Sequence, residues 1–342
     1  MGGRGSSMVI SAAPARRFWS ALALALLVAV AAGLLMPLIG SSKISYARAF
    51  AGLSPDHEIL FYARLPRVLL AMLAGGTLAC AGVLFQALLR DALATPYTLG
   101  VSSGASLGAV SAICFSWQPI LHLPAVWVAA FAGAGVTLFL VMGVATEGKR
   151  MSSFTLLLAG VTINSICLAL ILFLHYMANV GQSFAIARWM MGGIDAVEYS
   201  TLGWVALAVV PMVLLIFFKS REWNLLAVGE DWAAARGVSA SRLILVGYLA
   251  GSFITGTVTA LTGPIAFVGL IVPHALRLRF GADHRLLVPC SFLVGAAFLA
   301  ICDTLARTVL APTEVPVGVI TALAGGPFFI WLLRSRRRSL WL

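Results

Sequence analysis

Apolar runs close to 20 residues long recur from one end of this 342-residue chain to the other. A helix needs about 20 mainly apolar residues to cross the hydrocarbon core of a bilayer. Charged residues make up only 10% of the chain, too few to cover the surface of a soluble domain of this length. The sequence therefore predicts an all-α polytopic membrane protein.

About ten apolar runs are predicted to be transmembrane helices. Their expected limits are Phe18–Ile39, Leu60–Leu89, Leu99–Phe115, Ala125–Ala145, Phe154–Met177, Leu202–Phe218, Arg242–Leu261, Ile265–Leu278, Leu287–Arg307 and Val315–Leu333. Most of the 23 Lys and Arg fall in the N-terminal segment, in alternate loops and in the C-terminal tail, which places both termini in the cytoplasm. We expect one transmembrane domain over residues 18–334, between a cytoplasmic segment (1–17) and a basic cytoplasmic tail (335–342).

The net charge of +11 and the five cysteines have ordinary explanations in such a protein. The basic residues follow the charge bias of membrane topology, so nucleic acid is not expected as a partner. The cysteines lie in apolar runs without metal-ligand spacing, so no metal site is expected. The stretch GVATEGKR, residues 143–150, matches most of a phosphate-binding loop but follows a predicted span and ends in Arg. We therefore expect no ATPase site in this chain.

Three arginines are predicted at the outer ends of spans, against the topological charge bias: Arg64 and Arg67 in the stretch RLPR, and Arg307. Two explanations are open at this point. The side chains could extend toward lipid headgroups, or their guanidinium groups could bind carboxylates of an acidic partner. Asp303 precedes Arg307 by about one helical turn, so an internal ion pair is favoured over a proton relay.

One polar segment interrupts the second half of the chain: LLAVGEDWAAARGVSASR, residues 225–242. Its adjacent Glu and Asp are typical of a helix N-terminus, and Gly237 is typical of a helix end. Ser239 or Ser241 is then expected to cap the seventh span. The predicted topology places the segment in the cytoplasm, either as an amphipathic helix that contacts a soluble partner or as a solvated connector.

Small residues and prolines inside the spans predict close helix contacts and interrupted helices. Gly100, Gly104 and Gly108 recur every four residues, a spacing that lets helix backbones approach closely. The Gly263-Pro264 dipeptide predicts a broken or bent helix, which is tolerated in a membrane where protein or a cavity satisfies the freed backbone groups.

Several segments together resemble the FecCD-type (BtuC-like) permease family, the membrane subunits of ATP-driven importers for ferric siderophores, haem and cobalamin. The matching segments are RLPRVLLAMLAGGTLACAGVLFQALLRDALATPYTLGVSSGASLGA, ARWMMGG, LLAVGEDWAAARGV, LTGPIAFVGLIVPHALRL, GADHRLLVP and PVGVITALAGGPFFIWLL. They cover nearly everything after the first span, and so many motifs in order make the resemblance specific.

The resemblance implies the fold of a type II ABC importer permease with ten transmembrane helices per subunit. It also implies a multi-pass protein of the bacterial inner (cytoplasmic) membrane that works as a homodimer. Two ATPase subunits on the cytoplasmic side would bind ATP and Mg, and a periplasmic or extracellular substrate-binding protein would deliver the substrate. No cofactor is expected in this chain.

The resemblance further implies roles for individual residues. Residues 225–241 would form the coupling helices that contact the ATPase subunits, with motif positions at Gly229, Glu230, Asp231, Arg236 and Gly237. The binding protein's acidic residues would dock on Arg64, Arg67 and Arg307. A pathway between paired fifth and tenth spans would have its inner gate at Ser153, Phe154 and Thr155. Structural motif positions would be Gly263, Pro264, Phe267, Gly269, Pro273 and His274.

The sequence as a whole predicts the permease subunit of an ATP-driven importer for an iron chelate, a ferric siderophore or haem, that works by alternating access. A cobalamin importer of the same family is the alternative within this class. An ion-gradient-driven secondary transporter, and an intramembrane enzyme or assembly scaffold, are the alternatives of other classes.

Overall fold

The computed structural model describes residues 15–120, 123–147 and 150–335. Residues 1–14 of the predicted N-terminal segment and residues 336–342 of the predicted basic tail lie outside the described residues. The helices are α1 (Ala15–Leu35), α2 (Tyr46–Phe50), α3 (Asp56–Glu58), α4 (Leu65–Leu89), α5 (Val101–Cys114), α6 (Ala125–Ala145), α7 (Ser153–Met177), α8 (Val180–Met190), α9 (Tyr199–Phe218), α10 (Ser220–Val228), α11 (Glu230–Ala235), α12 (Ala240–Thr262), α13 (Val268–Phe280), α14 (His284–Thr308) and α15 (Val317–Ser335). A 3₁₀ helix (Met36–Leu38) follows α1, a π-helix (Ile59–Arg64) precedes α4, and an antiparallel hairpin of β1 (Thr146–Glu147) and β2 (Arg150–Met151) joins α6 to α7.

Each of the ten predicted spans overlaps a helix of at least 13 residues, so the all-α multi-span architecture is confirmed. Among the described residues, seven helical segments are long and apolar enough to cross a membrane. The helices α5 and α13 have only 14 and 13 residues. At about 1.5 Å per residue they extend for about 20 Å, less than the hydrocarbon core of about 30 Å. Each of these two helices alone is therefore too short to cross the hydrocarbon core.

The helix α4 lies at the centre of the bundle and packs mainly on α14, α12 and α13. Within the most apolar 18 residues of the span that ends with α4, 83% are buried inside the bundle. The corresponding share for α9 is 17%. Glycines make these contacts close. A Cβ on Gly75 would lie 2.2 Å from the carbonyl oxygen of Gly295, and one on Gly82 would lie 1.9 Å from that of Gly269. A larger side chain at either position would force the helices apart.

The predicted contact stripe on α5 is confirmed, and it faces α6. A Cβ on Gly108 would lie 2.0 Å from the carbonyl oxygen of Ala129, and one on Gly104 would lie 2.7 Å from that of Gly133. Gly100 precedes the helix with a φ of +83°, a conformation that favours glycine. The small residues therefore hold α5 directly against its neighbour.

The predicted break at Gly263-Pro264 is also confirmed, since these residues lie in a non-helical connection between α12 and α13. Gly263 has a φ of +66°, and Phe267, directly before α13, has a φ of +70°. A Cβ at position 263 would lie 2.5 Å from the carbonyl oxygen of Trp189. Pro273 lies inside α13. The backbone thus turns here in a conformation for which glycine is the suitable residue.

The predicted side-chain cap at the start of α12 is wrong. The helix begins at Ala240, and the Ser239 side chain makes no capping hydrogen bond. The Ser241 hydroxyl instead accepts a hydrogen bond from the Met151 N–H at 2.9 Å. Ser241 therefore forms a tertiary contact in place of a helix cap, and its hydroxyl holds the hairpin against α12.

The polar stretch between the fifth and sixth spans contains a helix, α8, that the apolar pattern did not predict. Its start is a capping box: Asn179 Oδ1 accepts from the Gln182 N–H at 2.9 Å, and Gln182 Oε1 accepts from the Asn179 N–H at 3.0 Å. The Gln182 amide also donates to the Cys114 carbonyl at 2.8 Å. This contact holds α8 against the end of α5.

Candidate functional site

Two polar clusters lie at opposite ends of the bundle, which we name outer and inner after the predicted topology. The outer cluster consists of Arg64, Arg67, Asp303, Arg307 and Glu314, and the inner cluster of Arg90, Ser153 and Glu230. The helix α4 connects them, because Arg67 lies in its first turn and Arg90 is its C-cap.

Arg67 joins three elements of the outer cluster. Its Nε and Nη2 donate to Asp303 Oδ1 at 3.2 and 3.0 Å. Its Nη1 donates to the two carboxylate oxygens of Glu314 at 2.9 and 3.2 Å. The antiparallel packing of α4 and α14 brings the first turn of one helix beside the last turns of the other. One guanidinium group thereby holds α4, α14 and the loop before α15 together.

Arg307 and Arg64 are buried in the same region, with exposed fractions of 4% and 5%. Arg307 Nε lies 3.4 Å from Asp303 Oδ2, so the predicted ion pair is confirmed. Arg307 Nη2 also donates to the Met36 carbonyl at 3.3 Å. Arg64 donates to the Ser42 hydroxyl at 3.1 Å and to the carbonyl of the same residue. Both guanidinium groups are therefore bonded within the chain.

The structure brings the three predicted docking arginines together but places them in different environments. A buried charge requires a partner, and Asp303 supplies a carboxylate to both Arg67 and Arg307. The Glu314 side chain is 46% exposed, so this carboxylate is the accessible member of the cluster. A carboxylate of another protein can therefore approach Arg67 at its contact with Glu314. The docking role of the three arginines stays a prediction.

The cytoplasmic segment predicted for residues 225–241 consists of two short helices, α10 and α11. The first begins at Ser220, earlier than predicted, and Gly229 separates it from the second. The second begins at Glu230, as the two adjacent acids predicted. Gly237 follows with a φ of +79°, as expected at a helix end. The helix limits inside the segment are thus confirmed, while its coupling role stays a prediction.

Glu230 connects α11 to the inner ends of two membrane helices. Its Oε1 accepts a hydrogen bond from Arg90 Nη2, at the end of α4, at 3.0 Å. The same oxygen lies 3.2 Å from the hydroxyl of Ser153, the first residue of α7. That hydroxyl also lies 2.7 Å from the Leu88 carbonyl oxygen. Of the predicted gate residues, Ser153 is thus buried in contact with α11, whereas Phe154 is 73% exposed.

The helix α10 is anchored on the start of α14. Asn224 Nδ2 donates to Asp283 Oδ1 at 2.9 Å, and Asn224 Oδ1 accepts from the His284 N–H at 2.9 Å. Burial by itself would raise the pKa of the Asp283 carboxyl, but hydrogen bonds from Arg285 and Asn224 outweigh it and lower this pKa to about 2. Asp283 is therefore ionised at neutral pH and links α10 to α14.

The outward face of the coupling segment combines an aromatic ring with a cation. Trp232 is 57% exposed, and the guanidinium carbon of Arg236 lies 5.6 Å from its ring centre. A groove of about 560 Å³ is lined in part by Thr155 of α7 and by Glu230 and Asp231 of α11. Exposed Trp and Arg side chains are enriched in protein–protein contacts. This face is therefore suited to a soluble partner.

The remaining motif positions, Gly269, Pro273 and His274, lie on α13. The Gly269 carbonyl accepts a hydrogen bond from the Gln86 amide of α4 at 3.2 Å. The His274 ring centre lies 6.1 Å from that of Phe329 on α15. These contacts hold α13 between α4 and α15.

Sequence reasoning missed the residues that complete the two clusters. Glu314 is 247 residues from its partner Arg67, and Arg90 is 140 residues from its partner Glu230. Local patterns do not connect residues so far apart. Asp283 differs, because it is the N-cap of α14, a position that aspartate favours, although it lies four residues before the predicted start of that span at Leu287.

Comparisons with known proteins agree with this architecture. The FecCD transport family matches residues 24–335. The hemin transport system permease protein HmuU of Yersinia pestis is 40% identical over 278 residues, which cover 81% of this chain and 83% of that protein. The uncharacterized ABC transporter permease protein YvrB of Bacillus subtilis is 38% identical over 339 residues, covering 94% and 93%. The vitamin B12 import system permease protein BtuC of Escherichia coli is 40% identical over 277 residues, covering 80% and 83%.

The similarity extends to three dimensions. A solved structure described as an inward-facing conformation of a metal-chelate type ABC transporter has a TM-score of 0.80 and 30% sequence identity. The match covers 93% of this chain and 99% of that chain. With the family match over most of the sequence, these findings show that this multi-pass membrane protein belongs to the FecCD transport family.

Proposed function

We propose that this chain is the permease subunit of an ABC importer and carries an iron chelate, a ferric siderophore or haem, across the cytoplasmic membrane. The observation that carries the proposal is the position of α4. This helix connects an arginine cluster suited to docking at one end with a segment suited to ATPase contact at the other. The names of its relatives, permeases for hemin and for vitamin B12, support the same class.

In this proposal one transmembrane domain, residues 18–334, works with a second copy of itself, and residues 1–17 and 335–342 are cytoplasmic. Two ATPase subunits bind ATP and Mg and hydrolyse the nucleotide, whereas this chain supplies no catalytic residue and no cofactor. A separate binding protein delivers the chelate to the outer end. The substrate then passes between the paired fifth and tenth spans, α7 and α15.

Movement of the ATPase subunits reaches the membrane through α10 and α11. The exposed Trp232 offers them a contact. Glu230 transmits displacement of α11 to the end of α4 and to Ser153 at the inner gate. Asp283 transmits displacement of α10 to α14. A single cytoplasmic movement thus acts on three membrane helices, as rigid-body alternating access requires.

At the outer end, the binding protein presents carboxylates to the arginine cluster. Arg67 is the accessible contact, and Asp303 keeps its guanidinium group in place while Glu314 is displaced. Arg64 and Arg307 support this arrangement from inside, because their charges raise the positive potential around Arg67.

The cobalamin alternative rests on one observation: identity to the vitamin B12 permease is 40%, the same as to the hemin permease. Uptake into proteoliposomes that contain the whole transporter distinguishes the substrates. Haem, several ferric siderophores and cobalamin are each supplied with the cognate binding protein. We expect transport of an iron chelate; transport of cobalamin alone would establish the alternative.

Ala234→Pro tests the coupling role directly. Ala234 is exposed in the last turn of α11, so proline removes a backbone hydrogen bond of this helix without entering the core. Proline costs about 3 kcal/mol in a helix interior, so ATP-driven uptake should fall by at least about tenfold while the binding protein docks normally. Ala234→Ser is the matched control and should retain uptake.

Normal uptake by Ala234→Pro would contradict the coupling role. Uptake that persists in vanadate but is abolished by an uncoupler would instead establish a secondary transporter and overturn the proposed class. A chain that never co-purifies with an ATPase subunit would favour an intramembrane enzyme or a scaffold.

A further inference from the structure

A groove at the inner end of the bundle lies apart from both polar clusters. It has a volume of about 370 Å³ and lies between the end of α9 and the start of α12. Val238 and Val246 contribute apolar surface to it, and Lys219, Glu222 and Arg242 contribute charged groups. The groove thus combines an apolar wall with a predominantly cationic rim.

Arg242 leaves the charge of this groove unbalanced. Lys219 Nζ lies 2.9 Å from Glu222 Oε2, so these two charges compensate each other. Arg242 is exposed and forms no ion pair with a carboxylate in the described part of the chain. It also lies in the first turn of α12, where the helix dipole disfavours a cation. The stability of α12 therefore does not explain this arginine.

The groove lies where two membrane spans reach the inner surface of the bilayer. The α9 span ends at Phe218, and the α12 span begins at Ala240. Most of α9 is exposed at the surface of the bundle, since only 17% of its most apolar 18 residues are buried. Near its inner end, Phe218 is 76% exposed and Leu214 is 47% exposed. An apolar surface at the depth of acyl chains therefore adjoins a cationic rim at the depth of headgroups.

We propose that this groove binds an anionic phospholipid of the inner leaflet. The phosphate pairs with the Arg242 guanidinium and takes a further hydrogen bond from the Lys219 ammonium, which has three donors. An acyl chain lies along Val246 and the open surface of α9. A zwitterionic lipid binds less strongly here, because Arg242 repels the ammonium group of its headgroup. The inference concerns the membrane around the protein and does not depend on the proposed transport function.

Charge and shape together favour a lipid over other occupants. A free phosphate ion would satisfy the arginine but would leave the apolar wall in contact with water. A folded cytoplasmic protein would have to insert into the bilayer to reach Val246, nearly two helical turns into α12. A phospholipid covers both surfaces at once because its two parts lie at the corresponding depths.

The test compares variants of the full chain in nanodiscs of phosphatidylcholine with increasing fractions of phosphatidylglycerol. Native mass spectrometry gives the phosphatidylglycerol fraction at which half of the protein retains that lipid. Each basic residue near an anionic surface contributes about 1 kcal/mol, so Arg242→Gln should raise this fraction about fivefold. Arg221→Gln is the matched control, because Arg221 is an exposed arginine of α10 that does not line the groove.

A second variant tests the apolar wall. Val246→Glu places a carboxylate where the acyl chain lies and should weaken retention at least as much as Arg242→Gln. The proposal is overturned if Arg242→Gln retains the lipid as the wild type does, or if both arginine variants lose it equally. Competition by soluble glycerophosphoglycerol would show a free phosphate site instead. Efficient cross-linking of Val246→Cys to an ATPase subunit would show a protein contact instead.

Discussion

Replacing Glu314 with Gln should strengthen docking of the substrate-binding protein. Both carboxylate oxygens of Glu314 accept hydrogen bonds from Arg67 Nη1, at 2.9 and 3.2 Å, while Asp303 accepts from the other two nitrogens. A partner carboxylate therefore has to displace Glu314 before it can pair with Arg67 in the same way. The neutral amide of glutamine holds the guanidinium group less strongly, because a charge-assisted hydrogen bond is about twice as strong as a neutral one.

The expected magnitude follows from the exposure of the two acids. The side chain of Glu314 is 46% exposed, whereas that of Asp303 is 1% exposed. Water and salt weaken the exposed pair, whose contribution is about 0.5 to 1 kcal/mol. Removing this competition should lower the Kd for the binding protein by about two- to fivefold. Asp303 is unsuitable for the same test, since its loss would leave two buried arginines without their shared partner.

The assay is a titration of the binding protein onto the transporter in nanodiscs at low and at high ionic strength. The gain from Glu314→Gln should shrink as salt rises, because screening weakens the competing pair. Glu198→Gln serves as the control, since Glu198 is an acid near the same end that contacts Ser200 rather than Arg67. Unchanged or weaker docking by Glu314→Gln at low salt, or an equal gain in the control, would refute the reasoning.

Gly82→Ala should destabilise the bundle by at least about 2 kcal/mol, because the added Cβ would lie 1.9 Å from the Gly269 carbonyl oxygen. Thermal unfolding in detergent tests this, and Gly135→Ala, where no atom lies within 4 Å of the added Cβ, should change the midpoint little. The lowered pKa of Asp283, about 2 against an ordinary 3.8, means that the carboxylate contributes stability above about pH 4 and loses that contribution as pH falls through about 2. Between about pH 5 and pH 2 the wild type should therefore lose about 1 to 2 kcal/mol more stability than Asp283→Asn; parallel decline of the two proteins would contradict the assignment.

Helix positions could be predicted because they depend on local sequence. A long apolar run satisfies its backbone hydrogen bonds in a bilayer by forming a helix, and α6 has the limits predicted for it, Ala125–Ala145. The start of α11 at Glu230 and its end before Gly237 likewise follow from the conformational preferences of these residue types. The ion pair of Asp303 with Arg307 follows from their spacing of four residues within one helix.

Other features depend on neighbours and could not be read from a single segment. The helices α5 and α13 are shorter than a complete span, and contacts with α6 and α4 hold them in the bundle. The Ser241 hydroxyl bonds the hairpin rather than its own helix. In each case a tertiary contact replaces the local interaction on which a sequence-based prediction depends.

The sequence by itself determined that the chain crosses the membrane repeatedly, and it predicts arginines at the outer ends of the spans and a polar segment on the cytoplasmic side. Only the tertiary structure decided which charges from different elements meet. Glu314 reaches Arg67 across 247 residues because Gly75 and Gly295 allow α4 and α14 to pack closely along their lengths. Electrostatic energy depends on the distance between charges, and these distances are set by helix packing. The close packing of α4 therefore brings charged residues that are far apart in the sequence together in the outer and inner clusters.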